Sequence, residues 1–272
     1  SGNGLFTLPP EIARLSLTEL DLSNNRFGRM PSFTWSPTLT TVNLGYVRLF
    51  AEAHLSAFHA TDAPFSPSSQ NNSIESLQAC LPCLCHVQTL ILRQNCIASL
   101  SLPPQHSFPR LRRLDLHGNY VAEVPPGTMN RALLKAISQQ EAHNSPRPCA
   151  AELFEALPVI ERLDLSHNRL RALPPTVAHA RHLGKLKLGH NRLQELPDLS
   201  GMDRLHKLGL AHNRFVITDD SPGVRSLRLP ISLTYLDLSE NKLHSLRGAL
   251  HPRLGEFREL LHLDASRNHI SS

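Results

Sequence analysis

The stretch 160–215 decides the fold, because it contains three copies of one short pattern: IERLDLSHNRL (160–170), LGKLKLGHNRL (183–193) and LHKLGLAHNRF (205–215). Each copy has apolar residues at positions 1, 4, 6 and 11 and asparagine at position 9. Repetition at a fixed period determines the whole architecture, so it is the first feature to establish. Further copies of L-x-x-L-x-L-x-x-N-x-L extend the series in both directions and begin at Leu17, Leu39, Val87, Leu111, Leu233 and Leu260.

The pattern has a direct physical interpretation. Alternation at positions 4 to 6 indicates a short strand whose leucines point to one side. One strand cannot bury that side alone, so neighbouring copies are expected to stack in parallel. The amide of each asparagine can bond backbone groups of adjacent turns that would otherwise be buried unpaired. Asparagine occupies position 9 in eight of the nine copies, with Val47 as the exception, and Asn3 continues the series backwards.

The pattern resembles the leucine-rich repeat family over the whole chain apart from two longer segments, 50–86 and 122–159. The resemblance implies an α/β solenoid: a horseshoe with a parallel concave β-sheet and a convex side that mixes extended and helical segments. Leu-Pro pairs such as Leu173-Pro174 follow several asparagines, and proline there favours an extended return path. These short return segments resemble those of intracellular adaptor-type members. GALHPRLGEFREL (248–260) leaves room for an outer helix.

We expect residues 1–272 to form a single solenoid, a fragment with uncapped ends, because the pattern is cut within a copy at both ends. The segments 50–86 and 122–159 are either insertions or degenerate repeats, and one interpretation places a further copy near Leu133. SPSSQNNS (66–73) is polar and is expected to be an exposed, mobile loop. The sequences SIESLQACL and CAAELFEAL are expected to form outer helices.

Composition narrows the class of protein. Leucine accounts for 49 of the 272 residues, which predicts a core built repetitively from one aliphatic residue type. No apolar run reaches the roughly 18 residues that a membrane span needs, and SGNGLFTLPP at the start lacks the pattern of a signal peptide. The five cysteines are an odd number and do not resemble a disulfide framework. We therefore expect a reducing compartment, the cytoplasm.

Charge indicates where a partner would bind. Residues 160–272 contain 17 Lys and Arg against 12 Asp and Glu, a net charge of +5, whereas residues 1–159 contain 11 of each. The copies at Leu183 and Leu205 have no acid on their predicted strands, and clustered charge in a concavity attracts an oppositely charged partner. We predict a docking surface for an acidic protein. The alternative is that these exposed residues are common in the repeat pattern and have no binding role. The predicted partner-binding residues are Arg169, Lys185, Lys187, His190, Arg192, Lys207, His212 and Arg214.

Two groups of residues have metal-like features, but neither predicts a metal site. His167, His190 and His212 stack in one column without an obvious thiol or carboxylate to complete a tetrahedral set. The segment Cys80 to His86 lacks a second pair at suitable spacing, so its thiols are expected to act as small buried hydrophobes. We predict no cofactor.

The function predicted from the sequence is a protein–protein interaction module, an intracellular scaffold or adaptor segment that binds its partner on the concave face. No phosphate-binding, metalloprotease or nucleophile motif is found, so we do not expect an enzyme. One alternative is the targeting domain of a larger enzyme, such as a kinase, GTPase or ubiquitin ligase. Another is an RNA-associated leucine-rich repeat protein. Nucleic-acid binding is less favoured, because aromatic residues for base stacking are scarce on the predicted face.

Overall fold

A computed structural model describes residues 3, 5, 8–25, 36–45, 86–95, 97–98, 100, 108–122, 159–217, 227–250 and 254–270. In these ranges, nine short parallel strands form one main sheet whose order follows the chain. Its strands are β1 (Glu19–Asp21), β2 (Thr41–Asn43), β3 (Thr89–Ile91), β4 (Arg113–Asp115), β5 (Arg162–Asp164), β6 (Lys185–Lys187), β7 (Lys207–Gly209), β9 (Tyr235–Asp237) and β11 (His262–Asp264). A separate parallel pair joins β8 (Val216–Ile217) to β10 (Lys242–Leu243).

The copies stack in register. Leu186 in β6 lies opposite Leu163 in β5 and Leu208 in β7, so the position-4 leucines of successive copies form one column. A slip of one residue would turn these leucines to solvent, and the hydrophobic pattern therefore fixes the register. The prediction that the strands containing Leu186 and Leu208 pair in parallel is confirmed.

The core is one continuous apolar column between the main sheet and the return segments. Position-1, -4, -6 and -11 side chains from the copy at Leu39 to the copy at Leu233 are buried wherever they are described, and full burial of a leucine contributes about 1.5–3 kcal/mol. The copy at Leu260 differs: Leu263 is 39% exposed where β11 contacts only β9 among the described strands.

Asparagines at position 9 bond successive copies to one another. The Asn191 Nδ2 amide donates to the Leu188 carbonyl of its own copy and to the Leu165 carbonyl of the preceding one, both at 2.9 Å. Its Oδ1 accepts the Leu170 backbone N–H at 3.0 Å. At the other end of the series, Asn25 Oδ1 accepts the Leu5 N–H at 3.3 Å, so the series does continue backwards through Asn3 as predicted.

The two longer segments do not separate the strands that they connect. β2 pairs directly with β3, and β4 pairs directly with β5. Asn168 Nδ2 donates to the Leu116 carbonyl and its Oδ1 accepts the Val121 N–H, both at 3.0 Å. The interpretation of a further copy near Leu133 falls outside the described residues and stays a prediction. The expectations for 66–73 and for the outer helices SIESLQACL and CAAELFEAL fall outside the described residues.

The convex side is mixed, as the resemblance implied. Its described helices are α1 (Leu246–Leu250) and three 3-10 helices: Pro10–Arg14, Pro175–His179 and Leu254–Glu256. Pro174 is extended as predicted, with φ −67° and ψ 146°, but a 3-10 helix follows it at once because proline suits the first position of a helix. The expected outer helix in 248–260 is present as the end of α1 and one short 3-10 helix. Among the described residues, none of the helices has both the length and the apolarity needed to cross a bilayer.

Candidate functional site

The concave face is defined here as the side of the main sheet that carries positions 3 and 5 of each copy. These side chains flank the buried leucine at position 4, so strand alternation directs them away from the core. The predicted site residues on this face are Lys185, Lys187 and Lys207. Lys185 lies in register with Lys207, and Lys187 lies in register with Gly209. The structure therefore brings the three predicted lysines together on two adjacent strands.

The predicted arginines form a second row, at position 10. The backbone N–H of Arg192 donates to the Leu170 carbonyl at 2.8 Å, and that of Arg214 donates to the Leu193 carbonyl at 2.8 Å. Arg169 begins this row, and its guanidinium lies 4.5 Å above the ring centroid of Tyr120. All three arginine side chains are exposed, while the asparagine before each and the leucine or phenylalanine after it are buried. The backbone thus holds one outward cation per turn beside the concave face.

Predicted residues His190 and His212 belong to a column of stacked rings at position 8. The ring centroids of His167 and His190 are 3.9 Å apart, and those of His190 and His212 are also 3.9 Å apart, with interplanar angles of 18° and 17°. His117 adds a tilted ring at 4.6 Å from His167, and its Nδ1 lies 2.9 Å from the Ser166 hydroxyl. We call the three position-8 rings, His167, His190 and His212, the imidazole column; His117 lies beside it at position 7 of its copy.

Backbone conformation explains why position 8 selects polar residues. Among the described copies this position always has a positive φ, between 51° and 69°. Glycine, asparagine, aspartate and histidine adopt the left-handed region most readily, Gln94, Glu240 and Arg267 also adopt it here, and β-branched residues are strained there. The histidines are therefore held in a fixed direction by the same turn that sends the next residue, asparagine, into the core.

The pKa values of His167 and His190 lie below the ordinary histidine value. Partial burial lowers the pKa of His167 and of His190, and neighbouring imidazoles lower both further. Acids lie at the edges of the column: His212 Nδ1 is 4.0 Å from Glu240 Oε2. Protonation of one ring thus opposes protonation of the ring stacked on it.

Two cations of the concave face were missed from the sequence. Arg162 in β5 lies in register with Lys185, and Arg113 in β4 lies in register with Arg162. Repulsion from Lys207, followed by slight burial and repulsion from Arg162, lowers the pKa of Lys185. Both arginines occupy position 3, the same position as Lys185 and Lys207, so the sequence pattern does place them on the concave face. Each is followed two residues later by an aspartate, so the net charge of its strand is zero.

Those aspartates are buried and already paired. Asp115 is 2% exposed and accepts Arg93 Nε at 2.7 Å, with Arg113 at 3.8 Å. Burial raises the pKa of Asp164, but hydrogen bonds from Ser166 and the charge of Lys187 outweigh it, so that the pKa lies below its usual value. Lys187 Nζ is 3.3 Å from Asp164 Oδ2. The prediction of acid-free strands holds for β6 and β7, and Lys187 in β6 pairs with Asp164 of the neighbouring strand β5.

Beyond β7 the character of the concave face changes. Tyr235 follows Lys207 in register, and its ring stacks on His262 at 4.6 Å between centroids and 8° between planes. Position 5 is acidic here, with Asp237 in β9 and Asp264 in β11. The concave face is thus basic over β4 to β7 and aromatic and acidic over β9 and β11.

Within the described ranges, no group of three or more His, Cys, Asp or Glu side chains is arranged to hold a metal ion. Stacked imidazoles place their nitrogens side by side rather than around one point, which explains why the column does not form such a group. Of the segment Cys80 to His86, only His86 is described, so the predicted role of those thiols stays a prediction.

Comparisons with known proteins agree with the geometry. A leucine rich repeat family model matches residues 158–215, and a second matches 16–36 and 232–254. Podocan-like protein 1 of Mus musculus is 28% identical over 98% of this chain and 55% of its own length, so the chain spans about half of that relative. The geranylgeranyl transferase type-2 subunit alpha of Mus musculus is 38% identical over 38% of this chain and 18% of its own.

A solved structure shows the same fold. The plant peptide hormone receptor RGFR1, in complex with RGF2, superposes with a TM-score of 0.58 at 20% identity, over 97% of this chain and 34% of that one. The nine in-register copies, the buried asparagine ladder, the family models and the relatives all agree. The chain is a leucine-rich repeat protein, and its architecture is that of a protein-interaction module.

Proposed function

We propose that this chain binds an acidic segment of a partner protein through the basic half of its concave face and the adjoining position-10 arginines. The residues that would make the contacts are Arg169, Lys185, Lys187, His190, Arg192, Lys207, His212 and Arg214. The observation that carries the proposal is the in-register pair Lys185 and Lys207, for which the described part of the structure shows no carboxylate partner. Repulsion between unpaired cations is relieved when a partner supplies negative charge.

The experiment reverses charge in the pair and measures association. Lys185→Glu with Lys207→Glu should slow capture of the partner, most strongly at low salt, because screening weakens exposed charge interactions. The matched control is Arg181→Glu with Arg258→Glu. Both of these arginines are exposed and lie two residues before position 1 of their copies, away from the concave strands. Equal capture by the two double variants would contradict the proposal.

RNA is tested in the same experiment. A generic RNA would bind both the wild type and the control with a steep salt dependence set by the number of phosphates neutralised. We expect RNA to compete weakly against the protein partner. Complete displacement of the partner by RNA at physiological salt would favour the nucleic-acid alternative.

We propose that the chain acts as a scaffold or adaptor in the cytoplasm. The odd number of cysteines supports this location, because it does not fit a disulfide framework. Mass-shift labelling of free thiols in freshly lysed cells should modify all five cysteines without prior reduction. The sequon Asn71-Asn72-Ser73 gives the opposing readout, because a glycosidase-sensitive mass at Asn71 would place the chain in the secretory pathway.

A second candidate is the targeting domain of a larger enzyme. The observation in its favour is the similarity to a transferase subunit, which covers 38% of this chain. A full-length transcript that joins these repeats to a catalytic domain would support it, and deletion of 160–215 should then impair substrate capture more than turnover of a small substrate.

A further inference from the structure

The concave face of β4 to β7 carries a row of cations with one member on each strand. We call Arg113, Arg162, Lys185 and Lys207 the cation row. Successive members are direct register partners, so the row crosses the strands at right angles without a gap. Arg162 and Lys207 are exposed, Lys185 is half-buried, and the Arg113 side chain is 42% exposed.

Carboxylates within the chain neutralise little of this row. The acids nearest to it, Asp115 and Asp164, are buried and bonded to Arg93, Ser166 and Lys187. Within the described ranges only Arg113 lies near one of them, 3.8 Å from Asp115, and Arg162, Lys185 and Lys207 have no ion pair. Three adjacent strands thus present cations that face solvent and each other. The charge of these three cations is therefore available to an acidic partner.

Spacing decides which shape of acidic partner fits the row. Adjacent strands lie about 4.8 Å apart, so four strands span about 14 Å from first to last. An α-helix presents one side chain per turn of about 5.4 Å on a given face, so four successive side chains of that face span about 16 Å. An extended segment repeats a face about every 6.7 Å and needs about 20 Å for four residues. The span of the helix exceeds that of the row by about 2 Å, which flexible lysine and arginine side chains can accommodate. The span of the extended segment exceeds it by about 6 Å, so its end carboxylates would lie beyond the end cations.

The cation row ends at β7, and the next strand, β9, has a different character. At β9 its place is taken by Tyr235, stacked on His262, and the neighbouring position-5 residues are Asp237 and Asp264. A partner whose acidic face continued past β7 would meet two carboxylates and be repelled. An aromatic or basic residue at that point would be attracted to the ring pair and to the acids.

We propose that the cation row binds an amphipathic acidic helix laid across the strands, with one carboxylate per turn over β4 to β7 and an aromatic or basic residue in the next turn over Tyr235. This rests on the proposed function and specifies the shape, charge spacing and end point of the partner segment.

The experiment uses the full chain and three synthetic fluorescent peptides of equal length and net charge, each with four glutamates and one tryptophan on an alanine and glutamine background. In the first peptide the glutamates are spaced four, three and four residues apart, so that they share one helix face, and the tryptophan follows one turn later. In the second the glutamates are distributed around the helix. The third keeps the order of the first but replaces two central alanines with proline, which prevents a helix.

Fluorescence anisotropy at about 50 mM salt, where surface charge is weakly screened, gives the dissociation constants. The one-face peptide should bind at least about tenfold more tightly than the other two, which corresponds to about 1.4 kcal/mol. Lys185→Glu with Lys207→Glu should remove this advantage, while Arg181→Glu with Arg258→Glu should keep it.

Gly209 offers a gain of function in the same assay. It lies at position 5 of β7, opposite Lys187, and a Cβ added there meets no atom within 4 Å. Gly209→Lys adds a cation beside the row and should tighten binding of the one-face peptide about two- to fivefold, whereas Gly209→Asn should leave it unchanged. Tighter binding by both variants would show that the gain comes from the backbone and would count against the row.

The outcomes separate this inference from the proposed function. Equal binding of all three peptides, lost on reversal of Lys185 and Lys207, would overturn the helix and keep the acidic docking surface. Tighter binding of the proline peptide would also overturn the helix, in favour of an extended segment. Binding that is unaffected by the reversals would overturn both.

Discussion

Two neighbouring columns of this solenoid show how one repeat can serve stability and recognition at once. The asparagine column at position 9 and the imidazole column at position 8 differ by one residue in sequence. Asn191 is 7% exposed and bonds four backbone groups of two copies. His190 directly before it stacks on rings above and below at the surface.

The turn between the two columns makes the difference. At position 8 the positive φ, 55° at His190, reverses the chain so that consecutive side chains point to solvent and to the core. Inside, the amide satisfies backbone groups that have no access to water, so its identity is fixed by hydrogen bonding. Outside, the only strict demand is tolerance of the left-handed region, and the residue type is free to vary between copies. Stability therefore constrains one column and leaves its neighbour available for binding.

The largest effect is expected at the asparagine column. Asn191→Ala should lower the free energy of unfolding by about 1–3 kcal/mol, because the carbonyls of Leu165 and Leu188 and the N–H of Leu170 lose a buried partner. Thermal and urea unfolding measure it. Asn268→Ala is the matched control: its amide makes the same bonds but is only partly buried, so water can replace it and the loss should be smaller. If the two variants lost the same free energy of unfolding, burial of the asparagine would not determine the size of the loss.

The next effect concerns backbone strain at position 8. His190→Val should cost about 1–2 kcal/mol, because a β-branched residue is strained at a φ of 55°. His190→Gly, which relieves that strain but removes the ring, should cost less than His190→Val at pH 7.5. If glycine were the worse substitution in urea unfolding, ring stacking rather than the turn would dominate the energetics of this column.

The regular part of the fold could be predicted from the sequence because it depends on local periodicity. The leucines of 160–215 and their asparagines specify strand, register and ladder through a pattern that repeats in every copy. Spatial adjacency across the longer segments could not be obtained this way. Whether β4 pairs directly with β5 depends on contacts between residues far apart in sequence, such as the bond between Val121 and Asn168, which are 47 positions apart.

The candidate site was predicted in part for a similar reason. Lys185, Lys187 and Lys207 stand out because their strands lack acids, and the structure places them together. Arg113 and Arg162 were missed because Asp115 and Asp164 cancel their charge in the sequence, and only the structure shows that these acids are buried and already paired with Arg93 and Lys187. The pairing of Lys187 with Asp164 is a contact between copies, which a count within one copy cannot reveal.

Acid should destabilise the solenoid through the imidazole column. The pKa values of His167 and His190 are lowered in the folded state by partial burial and by neighbouring rings, so the unfolded chain binds protons first as the pH falls. This contribution is fully present above the unfolded value of about 6.5 and is lost as the pH drops through 6.5 towards the lowered folded values. Melting temperatures at pH 7.5 and 5.5 measure the loss, above the range in which Asp164 and Glu240 titrate.

The control for this pH effect is a double variant, His167→Asn with His190→Asn, which keeps residues that tolerate a positive φ and removes the two titrating rings. Its melting temperature should fall less between pH 7.5 and 5.5 than that of the wild type. His86→Asn, at a described histidine outside the column, should leave the pH dependence unchanged. An identical slope in all three proteins would assign the acid sensitivity to other histidines.

The smallest effect is expected on the concave face itself, at Lys187. Its ion pair with Asp164 is 3.3 Å long, but the lysine side chain is 63% exposed, and exposed pairs contribute at most about 1 kcal/mol. Lys187→Ala should therefore cost less than about 1 kcal/mol, because Asp164 keeps the hydrogen bonds from the Ser166 backbone and hydroxyl. Ser166→Ala removes the hydroxyl bond and serves as the comparison. Urea unfolding at pH 7 should rank Asn191→Ala first, Ser166→Ala second and Lys187→Ala last. If Lys187→Ala cost as much as Asn191→Ala, the concave cations would be structural, and the separation between an inner column for stability and an outer surface for binding would fail.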